Sequence, residues 1–136
     1  MKIGILVPAY NEVENIPYLI KMLDEFIKNY PDYEVVFIDD GSIDSTQIVL
    51  KEYKRDYMKV ARHKRNLGKT QAIITGANAT DAEILVIYDA DMQFDIYDVP
   101  KLVDLILEQN ADVATGWKQG KYEKKFVSNI YNWCGQ

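Results

Sequence analysis

One cysteine, Cys134, and one histidine, His63, are all that the 136 residues contain of these two types. An internal disulfide is therefore excluded, and so is a zinc site of Cys/His spacing. A reducing cytoplasm is the expected compartment. Long apolar runs are missing as well. None approaches the about 20 residues that cross a bilayer, and Met1-Lys2-Ile3 leads directly into a strand pattern where a signal peptide would place its own apolar core. The chain is expected to be soluble, or at most peripheral to the cytoplasmic face of a membrane. Positive charge is in deficit: 16 Lys and Arg stand against 21 Asp and Glu, a formal charge of -5. That balance argues against a nucleic-acid partner and leaves any phosphate ligand dependent on a metal or on local donors. The Gly-x-x-x-x-Gly-Lys-Ser/Thr spacing of a P-loop is absent, and no Gly-x-Gly-x-x-Gly follows the first strand. Repeats and low-complexity linkers are absent too.

What is present is a chain with 48% hydrophobic residues in short, punctuated runs, enough for one domain over 1–136 with a real core. Ile3 to Val7, closed by Pro8, and Val35 to Ile38, closed by Asp39-Asp40-Gly41-Ser42, read as buried strands ending in loops. A helix is expected from Glu12 to Ile16 onward, with Ile16, Leu19, Ile20, Leu23, Phe26 and Ile27 on one stripe and a stop at Tyr30-Pro31. A second helix should start at Asp44 or Ser45 and turn Ile48, Val49 and Tyr53 inward. Met58 to Ala61 reads as a weak third strand, Lys69 to Ala79 as a helix weakened by Gly76 and Asn78, and Ile84 to Tyr88 as the clearest strand. A helix from Val99 to Gln109, a short strand Val113 to Thr115 and a helix Tyr122 to Trp133 complete the pattern. Apolar strands alternating with amphipathic helices require crossovers, so the expected class is α/β, three layers with a mainly parallel sheet. Ligands of such sheets bind beyond the carboxyl ends of the strands. That selects Pro8 to Glu12, Asp39 to Asp44, Asp89 to Gln93 and Gly116 to Lys118.

Asp89-Ala90-Asp91 is the sharpest chemical feature. On an extended stretch alternate residues share a side, so both carboxylates can face one ligand. Two oxygen ligands suit Mg²⁺ or Mn²⁺, which keeps water and substrate phosphate in its other positions, and Gln93 could add a neutral oxygen. The competing reading makes Asp89 and Asp91 solvated loop carboxylates. Asp39-Asp40-Gly41-Ser42 forms a second acidic strand end, whose carboxylates could accept from a ribose hydroxyl or a base N–H. Gly41 and Ser42 equally make a turn, and Asp44 reads as the cap of the helix that follows. Asn66-Leu67-Gly68-Lys69 opens a helix, where free N–H groups, a glycine and a lysine favour an anion such as pyrophosphate. Arg62-His63-Lys64-Arg65 reads as a solvated basic face.

Four segments now stand in order: Val7-Pro8-Ala9-Tyr10-Asn11-Glu12, Ile38-Asp39-Asp40-Gly41-Ser42-x-Asp44-x-Thr46, Asn66-x-Gly68-Lys69, and Asp89-Ala90-Asp91-x-Gln93. Together they resemble the inverting family-2 glycosyltransferases of the GT-A fold. Gly116-Trp117-Lys118, followed by Ser128, Asn129 and Asn132-Trp133, is similar to the polyprenyl-phosphate sugar synthase branch, dolichyl-phosphate mannose synthase-like in character.

The resemblance implies a site. Pro8, Ala9, Tyr10 and Glu12 would lie against the nucleoside of a UDP- or GDP-linked sugar, with Asp40, Asp39 and Gly41 at its base or ribose. Asp89, Ala90 and Asp91 would meet the diphosphate side, Asp89, Asp91 and Gln93 would hold Mg²⁺ or Mn²⁺, and Lys69 and Lys118 would meet phosphate. Lys118 stands where the branch often has Arg, and lysine lacks the bidentate fork. The implied reaction is transfer of the sugar, with inversion, to a polyprenyl phosphate. The family's catalytic domain usually runs longer, so the acceptor-side portion is expected to be missing here. A core cut through would leave Phe126, Ile130, Tyr131 and Trp133 available for homo-oligomer contacts. Two other readings stand beside this one: a nucleotide-sugar-binding module without turnover, and a receiver-like doubly wound domain with an acidic pocket.

Overall fold

A computed structural model describes residues 1–109, and the chain packs as two units, Met1–Gln93 and Phe94–Gln136. In the first unit, β1 (Ile3–Ala9), β2 (Tyr33–Asp39), β3 (Met58–Arg62) and β4 (Ile84–Ile87) form one all-parallel sheet in the order β3-β2-β1-β4. The helices between them are α1 (Ile16–Asn29), α2 (Thr46–Glu52) and α3 (Lys69–Asn78). The expected α/β class with a parallel sheet is thus what the chain adopts. In the second unit a 3₁₀ turn, Ile96–Asp98, leads into α4 (Val99–Gln109). The expected strand at 113–115 and helix at 122–133 lie outside the described residues.

The sheet's interior follows from its composition. Ile5, Leu6, Val7, Val35, Val36, Phe37 and Ile38 are fully buried, with residues of opposite parity pointing to opposite faces. Such runs, buried on both sides, need cover on both sides. Right-handed crossovers supply it: the chain steps from β1 to β2 to β3 in one direction, then returns past both to β4, so α3 lies on the face opposite α1 and α2. On the α3 face, Leu6, Val36 and Ile38 pack with Ala72. Gly76, a weak helix former, is tolerated because a Cβ there would come within 2.7 Å of the Ile38 side chain. α1 begins with a proline in its first turn and buries Ile16, Leu19, Ile20, Leu23 and Phe26. At about 1.5–3 kcal/mol for each fully buried side chain, that stripe supplies most of the helix's docking energy.

Two expectations are corrected. α2 buries Thr46 and Leu50, an i,i+4 pair, while Ile48 is 58% exposed and Tyr53 lies at the surface. β4 is half-covered: Ile84 is buried but Leu85 and Ile87 are exposed, because they share the face of Leu6, where α3 packs over β1 and β2. α1 starts at Ile16, at the late end of the expected range, since the backbone of 12–15 forms a hydrogen-bonded turn, Asn15 N–H to Glu12 O at 3.0 Å.

In the loop after β2, Gly41 takes φ +72, and a Cβ there would lie 2.2 Å from the Arg65 carbonyl carbon and 2.5 Å from Asn66 N. Neither atom can step aside, because both are backbone. Gly41→Ala should therefore cost about 2 kcal/mol or more, read as a fall in the urea midpoint at unchanged slope. A loss under about 0.5 kcal/mol, the scale of an indifferent surface change, would show that the two loops do not touch there.

Candidate functional site

The carboxyl ends of β1 and β2 are tied together first. Asp40 N–H donates to Ala9 O at 2.8 Å, carrying the ladder past the strands. Asn11 adopts φ 54, a conformation asparagine tolerates better than most residues, and its side-chain oxygen accepts from Ile43 N–H at 3.0 Å. Asn11 N–H donates to Ser42 Oγ at 2.9 Å and Glu12 N–H to Thr46 Oγ1 at 3.0 Å. The loop after β1 is thereby held by the loop after β2. Ser45, not Asp44, is the N-cap of α2; the Asp44 carboxylate accepts from Thr46 N–H at 2.9 Å in the turn just ahead of it.

The two aspartates of the second loop have separate duties. Asp39 is fully buried; Oδ1 accepts from Ser42 N–H at 3.0 Å, while Oδ2 finds no hydrogen-bond donor among the described residues and has Arg62 Nε at 3.7 Å. Asp40 turns toward α3. Its Oδ1 accepts from His63 Nδ1 and Leu67 N–H, each at 2.8 Å, and its Oδ2 accepts from Gly68 N–H at 3.0 Å. Three of about four acceptor directions on the carboxylate are filled, leaving one on Oδ2. Burial would raise the Asp40 pKa, but the hydrogen bonds from His63, Leu67 and Gly68 outweigh it and hold the carboxyl below its usual value.

His63 was expected on a solvated face and is instead buried. The cluster divides by strand alternation, with Arg62, Lys64 and Arg65 exposed and His63 on the same side as Ala61, toward α3. Its Nδ1 donates to Asp40, and its Nε2 lies 2.7 Å from Thr75 Oγ1 on α3. The one histidine is a strut between β3, the β2 loop and α3. Period-2 alternation carried one residue past Arg62 would have found it; the neighbouring charges hid it.

Gly68 precedes α3 with φ 98 and ψ 161, a backbone region essentially reserved for glycine. That turn aims Lys69 at the end of β4, where its Nζ stands 2.6 Å from Asp89 Oδ1. Asp89-Ala90-Asp91 is not extended, as the alternation argument assumed: Met92 N–H closes a turn onto Asp89 O at 3.2 Å, and Met92 takes φ 57. Both carboxylates nonetheless line one hollow, with Ala90 buried between them. Asp91 Oδ1 also accepts from Gln93 N–H at 3.3 Å.

That hollow, of about 390 Å³, is lined by Pro8, Ala9, Tyr10 and Glu12 from β1 and its loop, Asp40 from β2, Asn66, Gly68 and Lys69 ahead of and at the start of α3, and Asp89, Ala90 and Asp91 after β4. It opens where the strand order reverses, the place α/β sheets use for ligands. Asp40 and Asp91 therefore share one cavity. Asp39, Gly41 and Gln93 are not among its lining residues, and Lys118 lies outside the described residues. Asn66, which the motif contained without a stated role, is part of the wall. A larger hollow of about 590 Å³ lies at the other end of the strands, around Met1, Lys2, Tyr33 and Tyr57. It lacks the paired carboxylates and the glycine turn. Among the described residues no cluster of three or more His, Cys, Asp or Glu could cage a metal. Asp89 and Asp91 fit a cation that takes two carboxylates and completes its shell with water and substrate phosphate.

Comparison with known proteins follows the same lines. Residues 4–131 match the family model described as Glycosyl transferase family 2. The chain is 32% identical over 134 residues to a dolichol-phosphate mannosyltransferase of Pyrococcus furiosus, which covers 98% of this chain and 36% of that protein. It is 32% identical over 141 residues to a bactoprenol glucosyl transferase of Shigella phage SfX, covering 96% of this chain and 45% of the relative. It is 25% identical over 138 residues to a dodecaprenyl-phosphate galacturonate synthase of Rhizobium johnstonii, at 98% and 41%. The chain thus spans less than half the length of these relatives. Among solved structures, the mannosyltransferase PcManGT from Pyrobaculum calidifontis, in complex with GDP-Man and Mn²⁺, superposes with a TM-score of 0.66 at 26% identity, over 77% of this chain and 32% of that one. S. aureus TarS 1-349 with UDP-GlcNAc gives 0.69 at 26% identity, over 89% and 36%.

Asp40 also makes a thermodynamic prediction. A carboxyl whose folded pKa lies below its unfolded value stabilises the fold above the unfolded pKa and loses that contribution as pH falls through the folded pKa. Asp40→Asn should cost about 2 kcal/mol at pH 7 and should flatten the acid limb of the stability curve below about pH 4. Urea titrations from pH 7 to pH 3 check both; an acid limb as steep as wild type would remove Asp40 from that role.

Proposed function

Because this chain belongs to glycosyl transferase family 2, we propose that its strand-end hollow binds a nucleoside-diphosphate sugar with Mg²⁺ or Mn²⁺ and presents the sugar for transfer, with inversion, to a polyprenyl phosphate. The observation that carries this reading is the shared cavity: a nucleoside wall at Pro8 to Glu12, a single free acceptor direction on Asp40, a lysine, and the Asp89/Asp91 pair all face one 390 Å³ space. The choice of acceptor rests on the names of relatives, which are polyprenyl-phosphate sugar transferases. The choice of donor and ion rests on neighbours solved with GDP-Man and Mn²⁺ or with UDP-GlcNAc.

The residues have definite work in that reaction. Tyr10, 42% exposed at the mouth of the hollow, offers a ring face to the base, and Glu12 and Asp40 accept hydrogen bonds from nucleoside hydroxyl or N–H groups. Asp39 and Gly41 act from behind, fixing the loop that shapes this wall. Departure of the nucleoside diphosphate builds negative charge on its terminal phosphate, which a divalent cation held by Asp89 and Asp91 neutralises when bound. Gln93, two residues on, is assigned to the same shell and Lys118 to phosphate. The acceptor phosphate has a second pKa near about 6 and is mostly ionised at neutral pH, so no side chain must take a proton from it. No helix among the described residues is long and apolar enough to cross a membrane. The encounter with the lipid acceptor is assigned to the cytoplasmic surface of the bilayer.

The groups that line the hollow are those assigned to the donor, which fits one further reading, donor binding without turnover. Calorimetry with UDP- and GDP-sugars, run beside a transfer and donor-hydrolysis assay, separates the two. In either case Asp91→Ala should weaken metal-dependent donor binding at least about tenfold, while altering stability by no more than about 0.5 kcal/mol because the side chain is exposed. Undiminished metal dependence in that variant places the cation elsewhere. Chelation of wild type should likewise abolish the thermal stabilisation that the donor confers, about 2.7 kcal/mol at a hundredfold excess over Kd; a melting curve indifferent to chelator would contradict the metal requirement.

A further inference from the structure

The Lys69–Asp89 contact is the shortest ion pair among the described residues, Nζ to Oδ1 at 2.6 Å, and it sits inside the candidate donor site. We propose that Lys69 is a resident counter-cation: its ammonium holds Asp89 until a nucleoside diphosphate enters, then moves to the diphosphate, so that the divalent cation gains Asp89 only when nucleotide is present. The inference rests on the donor-site reading given above and adds an order of events to it.

Four observations carry it. The root of Lys69 is fixed, since Gly68 N–H is bound by Asp40 Oδ2 at 3.0 Å and Gly68 O receives Ala72 N–H at 3.1 Å. Its end is free to move: the side chains of Lys69 and Asp89 are 52% and 41% exposed, so the pair can part and re-form at small cost. Asp89 and Asp91 are the carboxylates that line the β4 end of the hollow; of its other two acids, Glu12 accepts from Asn15 Nδ2 and Asp40 from His63, Leu67 and Gly68, and no third ligand completes a cage among the described residues. A cation arriving alone would thus meet Asp91 and an ammonium, and two positive charges cannot share Asp89 without mutual repulsion. A diphosphate removes the conflict. It offers Lys69 another anionic oxygen in the same hollow and offers the cation the phosphate ligands that two carboxylates cannot replace. Lysine suits this exchange, being a compact charge on a flexible stem with no fixed fork to satisfy.

Free Mn²⁺ followed by electron paramagnetic resonance, and UDP or GDP followed by calorimetry, test the exchange on the purified chain. Lys69→Met should bind Mn²⁺ alone about two- to fivefold more tightly than wild type, the worth of an exposed pair, and should bind UDP or GDP more weakly. The Mn²⁺-induced gain in nucleotide affinity should shrink accordingly, by linkage. Lys69→Arg, which keeps the charge, should show no gain in Mn²⁺ affinity, and Lys54→Met, an equal charge change on an exposed residue outside this hollow, should leave Mn²⁺ affinity unchanged. An unchanged or weaker Mn²⁺ affinity in Lys69→Met overturns the exchange, as does an equal gain in Lys54→Met, which would be bulk charge. If wild type takes up no Mn²⁺ even with UDP or GDP present, the metal site itself fails and the exchange with it. Mn²⁺ uptake with nucleotide in wild type, without a gain in Lys69→Met, removes the exchange alone.

Discussion

Everything at the functional end of this sheet hangs on the carboxylate of Asp40. It is 4% exposed, and burying an ion there would be costly were it not met by His63 and by the N–H groups of Leu67 and Gly68. Those three donors belong to the end of β3 and to the turn before α3, so one side chain at the end of β2 determines where the next helix begins. The glycines flanking this knot follow from it. Gly41 lets the β2 loop touch the backbone of Arg65 and Asn66, and Gly68 lets the chain reverse into α3 while still presenting its N–H. Lys69 points at Asp89 because of where Asp40 holds Gly68.

Topology explains why the remaining residues face the same space. Four parallel strands place four loops at one end, and the reversal from β3 back to β4 sends α3 to the face opposite α1 and α2. Adjacent loops therefore lean apart at the β1/β4 boundary, and a hollow is left that side chains from the β1, β2 and β4 ends and from the start of α3 must line. The tie between the first two loops, Asn11 to Ser42 and Ile43 with Glu12 to Thr46, keeps one wall rigid. The β4 wall presents two carboxylates from a tight turn. A tied wall opposite an acidic one suits the proposed donor, with its nucleoside on the first and its phosphates toward the second.

How legible this was depended on whether one signal acted alone. α1 and α4 could be read from their apolar stripes, and α4 began where the pattern placed it, because no competing signal lay nearby. β1 and β2 were legible but short by two residues or so at their ends, since Pro8 and Asp39 read as loop residues while the parallel ladder runs through them. α2 was misjudged on its face: its seven residues carry too little periodicity, and the partner that decides its rotation is Leu50 paired with Thr46. His63 was lost among three charged neighbours. The acidic loops were recognisable as a site from their positions at strand ends, but their division of labour was not, because an Asp-Asp pair does not say which carboxylate turns to the ligand and which to its own backbone.

That division bears on what two consecutive aspartates accomplish. Adjacent residues leaving a strand point to opposite sides, so Asp39 and Asp40 cannot both face one ligand. Asp39 turns into its own loop and binds Ser42 N–H; Asp40 turns across to the loop before α3 and leaves one acceptor direction on Oδ2 at the hollow. Asp89 and Asp91, by contrast, are separated by Ala90, which is buried within the turn, and both reach the cavity. The first pair therefore builds the site and the second leaves its charge available. Negative charge that is already satisfied by N–H donors cannot bind a cation well, whereas charge balanced only by a mobile ammonium can be transferred to one. The acidic residues of this end differ less in kind than in how completely the fold has already answered them.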